Sequence, residues 1–138
     1  MILISSVNAR ANCVCPDLTG TYKHIEKDDG TEMFITLKNN ACDSVSLGTE
    51  VRMGRKSIMK MKPLPQHIGN YSKDGIDYSA SFQGNGFKES AVYKTKNEVG
   101  LVKLVNEFLK TNDGITMIQE KTFSSGKVDK QVVDLKKI

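Results

Sequence analysis

Markers of tight turns punctuate the chain at a nearly constant interval, and that rhythm limits the available folds more than any other feature. They are Asp28-Asp29-Gly30, Asn39-Asn40, Leu47-Gly48, Gly54, Pro63-Leu64-Pro65, Asp74-Gly75, Asn85-Gly86, Lys96-Asn97, Asn112-Asp113-Gly114 and Ser125-Gly126. Asp-Gly and Asn-Gly favour the turns whose backbone twist matches that of paired strands, so each marks a hairpin. A spacing of roughly ten residues is that of a sequential all-β sandwich or barrel.

The segments between the turns alternate as strands do. Met33, Ile35 and Leu37 alternate with more polar neighbours, as do Tyr78, Ala80 and Phe82, and Val133 and Leu135 near the end. Ile58-Met59-Lys60-Met61-Lys62 puts methionines on one face and lysines on the other. Such alternation belongs to an antiparallel sheet with one wet face. Leu101, Leu104, Val105 and Phe108 also fit a helix of period 3.6. No capping residue stands at the entry to that segment, and the Asp113-Gly114 turn follows it, so the expectation is a strand. With 138 residues, 38% hydrophobic and 26% charged, the chain suits one folded domain.

Ala9-Arg10-Ala11 fits the small-x-small pattern that precedes signal cleavage, behind the short apolar run Ile2-Leu3-Ile4. Residues 1–11 are therefore read as a signal-peptide remnant and 12–138 as a single β-barrel domain, secreted or periplasmic. No stretch approaches the length of a membrane span, so stable membrane insertion is not expected. In an oxidising compartment Cys13 or Cys15 can bridge Cys42. Cys15 abuts the first strand and is the preferred partner, leaving Cys13 as an odd thiol. In a reducing compartment all three cysteines would be free.

Catalytic and metal signatures are not found. His24 and His67 lie in unrelated segments, neither at a ligand spacing from cysteine or carboxylate. Gly84-Asn85-Gly86 lacks the third glycine and following helix of a phosphate loop and reads as a hairpin turn. The expectation is a protein that is not an enzyme and needs no cofactor. Arg52, Arg55, Lys56, Lys60 and Lys62 form a basic run with no acid among them, in a chain of net charge +4. They are candidate contacts for an anion, though the run lacks the aromatic residues of a single-strand nucleic-acid site, and no nucleic-acid partner is expected. Asn70-Tyr71-Ser72 matches a glycosylation sequon, informative only in a eukaryotic secretory setting.

Pro16 suits the mouth of a strand, and Leu18, Gly20 and Tyr22 then share one face. Leu18-Thr19-Gly20-Thr21-Tyr22 resembles the first-strand Gly-x-Trp signature of the lipocalins and their calycin relatives, which include the fatty-acid-binding proteins. Tyr22 takes the place of the tryptophan. Ile76-Asp77-Tyr78 is similar to a second lipocalin motif, Thr-Asp-Tyr. The resemblance implies an antiparallel up-and-down β-barrel of eight to ten strands with a cavity for a small hydrophobic molecule.

Alternation and the methionine content select Tyr22, Met33, Ile35, Leu37, Met59, Met61, Tyr78, Phe82 and Met117 as inward-facing candidates for ligand contact. The leading expectation is a monomeric carrier or sequestering module for a small hydrophobic or amphipathic ligand. The alternative is an envelope structural or protein-interaction module whose barrel is solid.

Overall fold

A computed structural model describes residues 14–138. The proposed signal remnant and Cys13 lie outside the described residues. Ten strands follow one another: β1 (Gly20–Ile25), β2 (Glu32–Asn40), β3 (Ser44–Met53), β4 (Lys56–His67), β5 (Gly69–Lys73), β6 (Ile76–Gln83), β7 (Gly86–Tyr93), β8 (Leu101–Lys110), β9 (Gly114–Phe123) and β10 (Val128–Lys137). The segment that also fitted a helix is strand β8.

The strands form a single sheet in the order β4-β3-β2-β1-β10-β9-β8-β7-β6-β5, with every neighbour antiparallel. The first and last strands are thus joined at the centre of the sheet. Tyr22 opposes Lys137 and Lys23 opposes Lys136, and the Ile138 N–H donates to the Thr21 carbonyl at 2.9 Å. Beyond Lys23 the two backbones are bridged by a side chain, with His24 Nδ1 3.1 Å from the Asp134 carbonyl oxygen.

The ring is not closed. A complete barrel would remove every sheet edge, yet β4 and β5 share no ladder, and each ends the sheet. Only Ile68 separates them, and Gly69 turns the chain at φ +120°, where a side chain is disfavoured. The Ile68 N–H donates to the Asp43 carbonyl at 2.9 Å and ties this corner to the β2–β3 turn.

Several turn markers act differently from expectation. Leu47-Gly48 lies within β3 and Pro63-Leu64-Pro65 within β4. A Cβ on Gly48 would stand 3.0 Å from the Pro63 ring, so the glycine makes room for the proline opposite. Proline has no N–H to give the ladder, and the β3–β4 register slips between Leu47 and Thr49. A β4 on the edge of the sheet tolerates both prolines. The turn read at Asn85-Gly86 falls one residue earlier, on Gly84-Asn85, with Gln83 opposite Gly86. Asp74-Gly75 is the tight hairpin expected, both residues having positive φ.

Inward residues at one end of the sheet make the core: Tyr22, Ile35, Leu37, Val45, Phe87, Phe108, Ile115 and Leu135. Leu18, in the lead-in to β1, plugs that end and is 0% exposed. Asn39 clamps this lead-in, donating from Nδ2 to the Pro16 carbonyl at 2.9 Å and accepting from the Leu18 N–H at 3.0 Å. The Tyr22 hydroxyl donates to the Leu18 carbonyl at 2.6 Å. A Cβ on Gly20 would lie 2.8 Å from the flexible end of Lys137 and at ordinary contact distance, 3.4 Å, from the Tyr22 ring. The Cys15–Cys42 disulfide, with Cα atoms 5.8 Å apart, fastens the same end.

Candidate functional site

Away from the plugged end, the inner surface changes character. Side chains of β7 alternate so that Phe87, Glu89, Ala91 and Tyr93 share the inward face. Register continues this row across the sheet: Glu89 opposes Asn106, Asn106 opposes Gln119, and Gln119 opposes Gln131. A polar band thus crosses four strands just above the apolar core, where Phe87, Phe108 and Met117 occupy the preceding row.

The band is hydrogen-bonded in one direction. Gln119 Nε2 donates to Asn106 Oδ1 at 3.0 Å, and Asn106 Nδ2 donates to Glu89 Oε1 at 3.1 Å. An ionised carboxylate only accepts, so Glu89 sets the polarity of the chain. Burial pushes the Glu89 carboxyl above its ordinary range, and the Asn106 hydrogen bond opposes that shift in part. No ion pair to Glu89 forms among the described residues. The paired carboxylates Glu32, Glu50 and Asp77 meet Lys23, Arg52 and Lys94 respectively.

A cavity of about 150 Å³ opens beside Glu89. Its walls include Tyr71, Tyr78 and Tyr93 with Leu104 and Asn106, and Gln66 approaches from β4. Tyr71 and Tyr78 oppose one another in the β5–β6 ladder and stack with ring centroids 4.9 Å apart. Acceptors, amides and aromatic rings converge here on one small volume, the composition of a ligand pocket.

The residues singled out in the sequence fall into distinct places. Tyr22, Ile35 and Leu37 are sealed in the core. Met33, Phe82 and Met117 pack against it, and Tyr78 lines the cavity. Met59 and Met61 of β4 oppose Val51 and Thr49 of β3 and stay 55% and 44% exposed. Leu64, opposite Leu47, extends this uncovered apolar strip.

The basic run is not brought together on the cavity. Arg55 is in the β3–β4 turn and Lys56 begins β4, while Lys60 opposes Glu50. Lys62 is exposed further along β4. Arg52 bonds Glu50 at 3.0 Å and covers the Phe34 ring at 5.0 Å. That hydrogen bond, with lesser help from Ser57, holds the Glu50 carboxyl below its usual range. An acid that is absent from the run in sequence is therefore supplied to it in space.

Glu89, Asn106, Gln119, Tyr71 and Tyr93 were not among the residues selected from the sequence. The signal was present for three of them. Glu89 is in phase with Phe87 and Ala91, Asn106 with Leu104 and Phe108, and Gln119 with Ile115 and Met117. A polar residue on the apolar phase of a strand is the informative exception.

No family model matches the sequence, and no curated protein matches it. Among solved structures the chain is similar to a point mutant of the fluorescent protein UnaG, at 10% identity and a TM-score of 0.54. The match covers 87% of this chain and 95% of that one. The fold is thus of the calycin type, ten antiparallel strands in one sheet.

Proposed function

We propose that this calycin-type sheet is a non-enzymatic binding module for a small amphipathic ligand, held on the inner surface between β5, β6, β7 and β8. The observation that carries the reading is the cavity of about 150 Å³ with the Glu89–Asn106–Gln119 chain on its wall. A void of about this size accepts a single small ring rather than a long acyl chain. The exposed strip of Met59, Met61 and Leu64 offers apolar surface for a larger remainder. Buried polar groups in the wall would fix the ligand's orientation. The cavity supports this reading over that of a solid barrel acting as a structural module.

In this reading the protein is a monomer and acts outside the cytoplasm, a location that the Cys15–Cys42 disulfide supports. No helix of the described residues is long and apolar enough to cross a membrane. Native mass spectrometry of the full chain taken directly from its source tests the proposal. A co-purifying small mass is expected, and its loss in a Leu104→Trp variant that fills the cavity would place it there. Absence of any added mass across growth conditions, together with no uptake of an environment-sensitive apolar dye, would overturn the reading.

A further inference from the structure

Glu89 is the one acid or base lining this cavity that is expected to carry charge near neutral pH, and the structure supplies it with a hydrogen-bond donor, Asn106, but no countercharge. The other cavity walls are tyrosines, small residues, amides and Leu104. Aromatic rings attract cations through their electron-rich faces, and a desolvated carboxylate does so more strongly. We propose that the cavity is a site for an organic cation, a protonated amine whose ammonium group meets Glu89 and whose apolar body lies among Tyr71, Tyr78 and Tyr93. The proposal rests on the binding-module reading above and adds the charge of the ligand to it.

Three features support a cation over a neutral or anionic ligand. First, the amide chain runs Gln119 to Asn106 to Glu89, so the Asn106 amide is directed at the carboxylate and holds one of its oxygens in place. Second, the outward carboxylates Glu32, Glu50 and Asp77 have lysine or arginine partners, whereas Glu89 does not. An unpaired inward carboxylate is a standing energetic cost unless something positive arrives. Third, the basic residues Arg52 and Lys60 are engaged around Glu50, leaving the cavity wall without a cation for an anionic ligand.

The groups facing Glu89 define how pH acts on the site. Strand β5 presents Tyr71, β6 presents Tyr78 and Ala80, and β8 presents Leu104 and Asn106. On the same face β9 carries Gln119 and Lys121, and β10 carries Gln131 and Asp129 opposite them. Lys121 stands two strands from Glu89 and forms no ion pair with it. Acidification protonates Glu89 and removes the attraction for an ammonium group while leaving the ring pocket in place.

Calorimetric titration of the full chain with benzylamine, benzyl alcohol and benzoate tests the proposal, because the three probes share a ring and differ in charge. At neutral pH benzylammonium is expected to bind at least about tenfold more tightly than benzyl alcohol, with benzoate the weakest. Glu89→Gln is expected to erase this preference, so that benzylammonium and benzyl alcohol bind the variant about equally. Lowering the pH should weaken benzylammonium alone. Equal affinity for all three probes, or an ammonium preference that survives in Glu89→Gln, would overturn the cation assignment while the binding-module reading stands. If none of the three binds and an apolar dye is also refused, the binding-module reading itself fails. The comparison among probes is complete in the unaltered protein, so it does not depend on the variant folding.

Discussion

Two glycines show why single residues in this chain carry more than their local sequence discloses. Gly86 and Gly114 read as the closing residues of turns, yet each begins a strand and is buried. A Cβ on Gly114 would lie 1.9 Å from the Leu135 carbonyl oxygen, and one on Gly86 would lie 2.4 Å from that of Phe108. Both obstacles are backbone and cannot swing aside. Gly114→Ala should therefore destabilise the fold by about 3 kcal/mol, measurable as a lowered urea midpoint with an unchanged slope. The need is steric and comes from strands distant in sequence, which no dipeptide rule can reveal. Glu89 was legible in the opposite way, because an acid on the phase of Phe87 and Ala91 is visible in the alternation itself. Its folded carboxyl is held above the ordinary value of 4.5, so the native state binds the proton more tightly than the unfolded chain does. Its contribution to stability is present in acid and is lost as pH rises through the raised folded value. Glu89→Gln should flatten this part of the pH profile and be no less stable than the unaltered protein at neutral pH. A thermal melt of both proteins against pH checks the sign. A clear loss of stability in the variant at neutral pH would mean that the ionised carboxylate supports the fold.

Among the elements, β4 and β5 depart furthest from what alternation led one to expect. Alternation placed Met59 and Met61 on one face correctly in phase, but phase says nothing of whether another layer covers that face. All but one of the twelve residues of β4 are exposed, and the outer edges of both strands lack partners within the sheet. Amide hydrogen exchange should consequently be fastest in β4 and β5 and slowest in β1, β2, β8 and β9, which are paired on both sides. Uniform protection across all ten strands would show that the sheet closes in solution. The prolines that read as a turn sit instead where an edge strand accepts them, and Pro63 opposite Gly48 registers as a slip in the ladder. The corner at Ile68–Gly69 had no such punctuation: one glycine between two strands was the whole signal. The lead-in to β1 was more legible, through Pro16, Leu18 and Cys15. Breaking its disulfide by Cys42→Ser releases a loop spanning 27 residues and should lower stability by about 3 kcal/mol. Alkylation of the denatured, unreduced protein should find one reactive thiol among its three cysteines, and three would show the bridge to be absent.

At the scale of the whole molecule, the turn rhythm foretold an up-and-down all-β sheet because hairpins are local, and their markers lie beside one another in sequence. The order of strands in the sheet and the position of its opening depend on which distant edges meet, and they were only partly foretold. The meeting of β1 with β10 was expected; the break between β4 and β5 was not. This arrangement divides the chain into two meanders, β1 to β4 and β5 to β10, connected through Ile68 and along the β1–β10 seam. Ending the chain after Gly126 removes β10 and should leave two half-sheets that no longer unfold together, seen as a broadened or biphasic denaturation curve. One sharp transition in that truncated protein would show that the seam is dispensable.

The seam also sets a timetable. Since β10 follows all nine other strands in the chain, the N-terminal ribbon has no flanking neighbour on one side until β10 has emerged, and the nascent polypeptide waits with that border bare. The centre of the sheet is therefore the last part of it to be completed, after both of its outer borders have already been made.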